Sequence, residues 1–225
     1  MAAQTSTGQC EFCGATFAAN VMTRHLTACG KAAAQGKKTS SCFHLVVEGR
    51  YASAYWLHLA ASPRATLSQL DQFLRGIWLE CCGHLSAFTI GGIRYAIQPL
   101  KPGDFPFGGT PERGMAVPLA RVLQPRVKFG YEYDYGSTTD LTLRVVGMPE
   151  WPAAGPAIRV VARNHQPEVK CAQCGSAPAR TICTECAWSD KGWLCEACAA
   201  AHECDEDMFL PVVNSPRVGV CGYTG

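Results

Sequence analysis

Phe43-His-Leu-Val-Val-Glu48, Tyr55-Trp-Leu-His-Leu-Ala60 and Thr66-Leu-Ser-Gln-Leu-Asp-Gln-Phe-Leu-Arg-Gly-Ile-Trp78 follow one another closely in this 225-residue chain. The first two are short apolar runs with Gly49 between them, which predicts a pair of strands. In the third, Leu67, Leu70, Phe73, Leu74, Ile77 and Trp78 recur at helical spacing, and Thr66 stands where an N-cap belongs. Further on, residues 85–96 alternate as a strand broken by Gly91-Gly92, the mark of a hairpin turn. Residues 117–123 suit a short helix. Residues 128–135 and 139–146 read as a last hairpin, with Phe129, Tyr131, Tyr133 and Tyr135 on one face. This order predicts an α+β fold, a mixed, mostly antiparallel sheet with a packed helix, flanked by two small zinc-binding modules.

The flanks carry the cysteines. Five segments are expected: a CCHC zinc finger over 9–30, a linker over 31–41, the α+β core over 42–148, a Pro/Ala/Gly-rich connector over 149–168, and a two-zinc Cys/His module with a tail over 169–225. Cys10-x2-Cys13-x11-His25-x3-Cys29 has the spacing of a ββα finger with Cys in the last place. Phe17 and Met22 are the apolar residues such a finger closes over its metal. On the helix face that fingers use to read bases, Asn20 and Arg24 are the suitable side chains, and Lys31, Lys37 and Lys38 add positive charge nearby.

The second cluster runs Cys171, Cys174, Cys183, Cys186, Cys195, Cys198, His202 and Cys204, three C-x2-C pairs and a closing His-x-Cys. Zinc takes four N or S ligands in a tetrahedron, so eight ligands suit two closed sites. With the finger, three Zn²⁺ are expected. Cross-bracing would join the first pair with the third, and the second pair with His202 and Cys204. A sequential arrangement would join the first two pairs instead. Cross-bracing is preferred because it ties a coreless segment into one unit. Cys221 competes with Cys204 for the last place. Acids outnumber bases from Glu168 to Asp207, and Trp188 and Trp193 either dock a partner or shield the metals.

Composition narrows the classes. The formal charge is +2, and ten ligand thiolates against six metal charges bring it to about −2, so no basic field points to nucleic acid or membrane. The N-terminus lacks the pattern of a signal peptide, and no apolar run is long enough to span a bilayer. Fourteen cysteines in such a chain favour metal over disulfides, which suits the cytoplasm.

Some residues resemble a known family. His84-Leu-Ser-Ala-Phe88 followed by Thr89-Ile90, the helix before it, Tyr131-Glu-Tyr-Asp-Tyr-Gly136, and the tail from Asn214 to Gly225 are similar to elements of the plasmid pRiA4b open-reading-frame-three-like family. Its members are also described as passenger proteins of insertion sequences. The resemblance covers roughly residues 43–148 and 171–225, and implies an α+β core and an association with mobile elements. Where the family continues with an acid, a Trp and a His, this chain has Ser137, Thr138, Thr139 and Asp140.

No catalytic residue is assigned. Cys81, Cys82 and His84, with Asp134 as orienting group, are the one candidate nucleophile set. The favoured reading makes the two cysteines buried small hydrophobes and has His84 bond to backbone. The expected function is a non-enzymatic adaptor with a protein partner. A nucleic-acid accessory factor using the finger is the alternative, and a Cys/His hydrolase comes third.

Overall fold

The computed structural model describes residues 6–100, 112–153 and 155–225. The N-terminal segment forms β1 (Thr7–Cys10), β2 (Thr16–Ala18) and α1 (Ala19–Ala34), followed by β3 (Thr39–Ser41). The next stretch supplies β4 (Phe43–Gly49), β5 (Trp56–Ala61), α2 (Leu67–Leu74), β6 (Ser86–Ile90), β7 (Ile93–Ala96), β8 (Arg113–Gly114) and α3 (Leu119–Val122). It ends with β9 (Lys128–Tyr133), β10 (Thr139–Gly147), β11 (Glu150–Pro152) and β12 (Ile158–Asn164).

Ten strands form one sheet in the order β2-β1-β12-β5-β4-β10-β9-β6-β7-β8, antiparallel except for the β7–β8 pair. The fold is mixed α+β, with Cys-rich clusters towards both ends of the chain.

Helix α2 begins as its sequence predicts. Thr66 Oγ1 accepts from the Gln69 amide (3.2 Å) and Gln69 Oε1 accepts from the Thr66 amide (2.9 Å), a reciprocal capping box. The apolar stripe continues through a π-helical turn at Arg75–Leu79, which carries Trp78 into the core. Along β5 the side chains alternate between two interiors. Leu57 and Leu59 join the core under α2, while Trp56 and Ala60 face the finger helix on the opposite side.

One buried ionic network anchors α2 to the sheet. Asp71 accepts from Arg75 Nε (2.8 Å), Ser86 Oγ (2.5 Å) and Tyr131 Oη (2.7 Å). Arg75 also donates to the His84 carbonyl (2.7 Å) and to Glu80 (2.9 Å). A charge this deep persists only when its partners surround it.

Several expectations change. The expected linker at 31–41 is largely ordered: α1 runs on to Ala34, and β3 pairs with β11. The expected connector at 149–168 holds β11 and β12, and β12 lies between β1 and β5 inside the large sheet. The finger hairpin is therefore an extension of the main sheet. Trp151 of β11 fills the space between α1, Phe12 and His44. Gly30 makes room for it, since a Cβ there would collide with the indole. The first strand of the last hairpin stops at Tyr133. Asp134 takes a left-handed conformation (φ 66°), so Tyr135 leaves the face shared by Phe129, Tyr131 and Tyr133 and is exposed.

The C-terminal module is separate in construction. A three-stranded sheet of β13 (Thr181–Cys183), β14 (Trp193–Leu194) and β15 (Phe209–Pro211) packs beside α4 (Glu196–Ala200). Its buried cluster is Cys171, Cys183, Leu194 and Cys195, so three of the four are cysteines.

Candidate metal centres

The structure gathers the candidate ligands into tetrads. Cys10, Cys13, His25 and Cys29 converge at the finger, as do Cys171, Cys174, Cys195 and Cys198, and Cys183, Cys186, His202 and Cys204. Within each tetrad the ligand atoms lie within 4.8 Å of one another. The C-terminal pairing is thus the cross-braced one. Cys204, and not Cys221, completes the second C-terminal set.

The spacings can be compared with what zinc requires. A tetrahedron with Zn–S near 2.3 Å and Zn–N near 2.05 Å has S···S edges of about 3.8 Å and S···N edges of about 3.6 Å. The Sγ–Sγ distances are 3.9 Å for Cys10–Cys29, 3.9 Å for Cys174–Cys195 and 3.7 Å for Cys186–Cys204. Cys13 Sγ lies 3.4 Å from His25 Nε2, and Cys186 Sγ lies 3.5 Å from His202 Nε2. Such distances fit sulfurs sharing a cation and are far too long for an S–S bond. All fourteen cysteines are free thiols. Every C-terminal ligand and every finger ligand comes from the chain itself, so each tetrad is closed.

Local backbone explains how the pairs are presented. Gly14 and Gly175 directly follow the second cysteine of a pair, with φ of +73° and +69°. These left-handed turns bring amides round to the sulfurs: Phe12 and Cys13 donate to Cys10, and Gln173 and Cys174 donate to Cys171. Cys195 opens α4, which places Cys198 one turn inside it.

The thiols also show why a cation belongs there. Hydrogen bonds from the Ser176 hydroxyl and from the Ala177 and Ser176 amides lower the Cys174 thiol to about 6. The neighbouring Cys195 sulfur, then burial and Cys171, push Cys198 up to about 12. Cys186 and Cys183 push Cys204 up to about 12, and burial followed by Cys13 and Cys10 does the same to Cys29. In each tetrad at least one thiol is pushed up by the sulfurs beside it. A divalent cation reverses that push.

A fourth tetrad was not expected. Cys81, Cys82, His84 and Cys221 also bring their ligand atoms within 4.8 Å. The reading of Cys81 and Cys82 as buried hydrophobes is corrected: Cys82 is exposed and Cys81 half-buried. The thiol-enzyme reading needs an activated Cys82. Its neighbours Cys221 and Cys81 instead push that thiol up to about 11. His84 Nδ1 lies 3.6 Å from Asp134 Oδ1.

The proposed base readers Asn20 and Arg24, and Lys31, Lys37 and Lys38, are all exposed. Between them, Ala18, Ala19, Val21 and Thr23 are half-buried. Asn20 and Thr23 edge a groove whose other wall includes Glu48, His58 and Arg144 of the sheet. In the C-terminal module Glu168, Glu185, Asp190, Glu196, Glu203, Asp205, Glu206 and Asp207 are exposed. Trp193 is half-buried, and the side chain of Trp188 lies outside the described residues. No helix among the described residues is long and apolar enough to cross a membrane.

No protein-family model matches this chain, and no curated protein does. One solved structure with partial likeness is the crystal structure of a protein of unknown function, MM3350, from Methanosarcina mazei Go1. It is 12% identical, with a TM-score of 0.46, over 64% of this chain and 72% of that one.

Proposed function

We propose that this protein is a non-enzymatic adaptor whose zinc sites at both ends of a rigid sheet hold surfaces for a protein partner in the cytoplasm. The observation that carries this reading is the closure of the tetrads. Each has four protein ligands, whereas catalytic zinc keeps a position for water or substrate. A saturated zinc site builds shape. The shape at the C-terminal end is an acidic surface, which suits a partner with a basic face. The mobile-element setting implied by the family resemblance belongs to the same proposal, with a component of a DNA-processing assembly as the kind of partner expected.

The test is affinity capture from the chain's own host, with the zinc-loaded protein and with Asp205→Lys/Glu206→Lys/Asp207→Lys as baits. Specific capture that the reversed charges abolish is the expected result. Equal capture by both baits removes the acidic surface from the account.

A second reading rests on the exposure of Asn20, Arg24, Lys31, Lys37 and Lys38 around the finger helix. It makes the protein a nucleic-acid accessory factor, and predicts weak, steeply salt-dependent binding that Cys10→Ser removes.

A further inference from the structure

We propose that Cys81, Cys82, His84 and Cys221 form a fourth zinc site, which clasps the C-terminal tail to the sheet domain. This goes beyond the adaptor reading, which rests on the other three.

The spacings are those of a metal tetrahedron. Cys82 Sγ and Cys221 Sγ are 3.7 Å apart, and Cys221 Sγ is 3.5 Å from His84 Nε2. Both match the S···S and S···N edges of about 3.8 and 3.6 Å around zinc. Three sulfurs and an imidazole are soft and borderline donors, the set that selects zinc over calcium or magnesium.

A second circle of groups supports the four ligands. Nε2 of His84 points at the cysteines, which leaves Nδ1 facing the Asp134 carboxylate. A carboxylate behind a metal-bound imidazole fixes its tautomer and raises its basicity. Arg217, fully buried, donates to Asp134 Oδ2 (2.7 Å) and to Cys81 Sγ (3.5 Å). Its positive charge lies between the Asp134 carboxylate and the Cys81 sulfur and lessens the negative charge of three thiolates and a carboxylate around one Zn²⁺. The guanidinium also donates to the Ser137 carbonyl (3.1 Å) and Thr139 Oγ1 (3.0 Å), and lies over the Tyr133 ring.

The loop is held ready. Glu80 accepts from the Gly83 amide (2.6 Å) and Tyr133 Oη (3.0 Å), and Arg75 holds the His84 carbonyl. On the tail side, Ser215 Oγ donates to the Trp78 carbonyl (2.6 Å). Cys221 adopts a left-handed backbone (φ 53°) that is costly for any residue with a Cβ. That cost is offset if the conformation aims Sγ at a metal.

The readout is a difference in zinc content by native mass spectrometry, for the full chain purified without chelator. Cys82→Ser/Cys221→Ser changes two exposed side chains, so the sheet stays folded. Wild type should carry one more zinc than the double variant, and Cys13→Ser should lose a different one, so that all three changes together lose two. Equal zinc in wild type and the double variant overturns the proposal, whatever the total. So does a wild-type chain lighter by two hydrogens with a Cys82–Cys221 disulfide. Loss of the finger or C-terminal zincs with this difference intact would count against the adaptor reading and leave the fourth site standing.

Discussion

The central sheet and the C-terminal module are filled with different materials. Under α2 the interior is Leu45, Leu57, Leu59, Leu70, Trp78, Phe88, Tyr131 and Leu143, an apolar core that excludes water by area. In the module the buried cluster is largely the ligands themselves, Cys171, Cys183 and Cys195, around Leu194, and among the described residues the other buried apolar side chains between residues 171 and 211 are Ala179 and Ile182. The first region would fold on hydrophobic burial. The second has too little apolar surface to offset the entropy of ordering it, so its fold depends on what the sulfurs bind. The finger stands between the two. It has a metal tetrad of its own, yet Met22, Leu26 and Cys10 share a core with Trp56 and Trp151 of the sheet domain.

The largest effect that could break this contrast comes from metal removal. A strong chelator should abolish amide-exchange protection across residues 171–211, while β4, β5, β9 and β10 keep theirs. Structural zinc contributes about 10–16 kcal/mol in small zinc modules, so the loss should be complete and not graded. If protection disappears from the sheet and the module together, the two regions are one cooperative unit and the contrast fails.

An intermediate effect belongs to the sheet alone. Asp71→Ala strips Arg75 of its buried partner and leaves Ser86 and Tyr131 without their acceptor. A broken buried pair costs about 3–5 kcal/mol, to be seen as a lower urea midpoint for the sheet with C-terminal zinc retained. A change under 1 kcal/mol would mean that water replaces the carboxylate.

The most gradual is a pH effect, which grows only as the pH falls. His44 and His58 share a 2.8 Å hydrogen bond inside the sheet domain. Burial lowers His44 to about 4, and burial followed by His44 lowers His58 to about 3. The unfolded chain takes up these protons near pH 6.5 and the folded one does not. Stability is therefore full above that pH and falls as the pH drops towards 4, by roughly 2 kcal/mol for each histidine at pH 5. Urea midpoints at pH 7 and pH 5 measure it. The same slope in a His44→Gln/His58→Gln chain would show that other groups, the zinc ligands among them, cause the loss.

What could be read in the sequence was what is local. Thr66 and Gln69 sit three residues apart and announce the start of α2. The paired cysteines likewise carry their spacing with them. Strand β12 was hidden because a bulge between Val160 and Ala162 breaks the alternation that marks a strand, within a Pro- and Gly-rich neighbourhood. Tyr135 was assigned to the wrong environment because one left-handed residue, Asp134, ends β9 before it. The fourth tetrad joins His84 to Cys221, 137 residues away, and no spacing rule spans such a distance. The clue available was the pair Cys81-Cys82 beside His84, a ligand set short of its last member.

The position of β12 between β1 and β5 has a consequence for the growing chain. Emerging from the ribosome, the N-terminal hairpin has no sheet to join until residues 158–164 follow it. Until then the outer edge of β5 is an open template for any passing strand. The finger, made before the strands it joins, thus finds its place only after them.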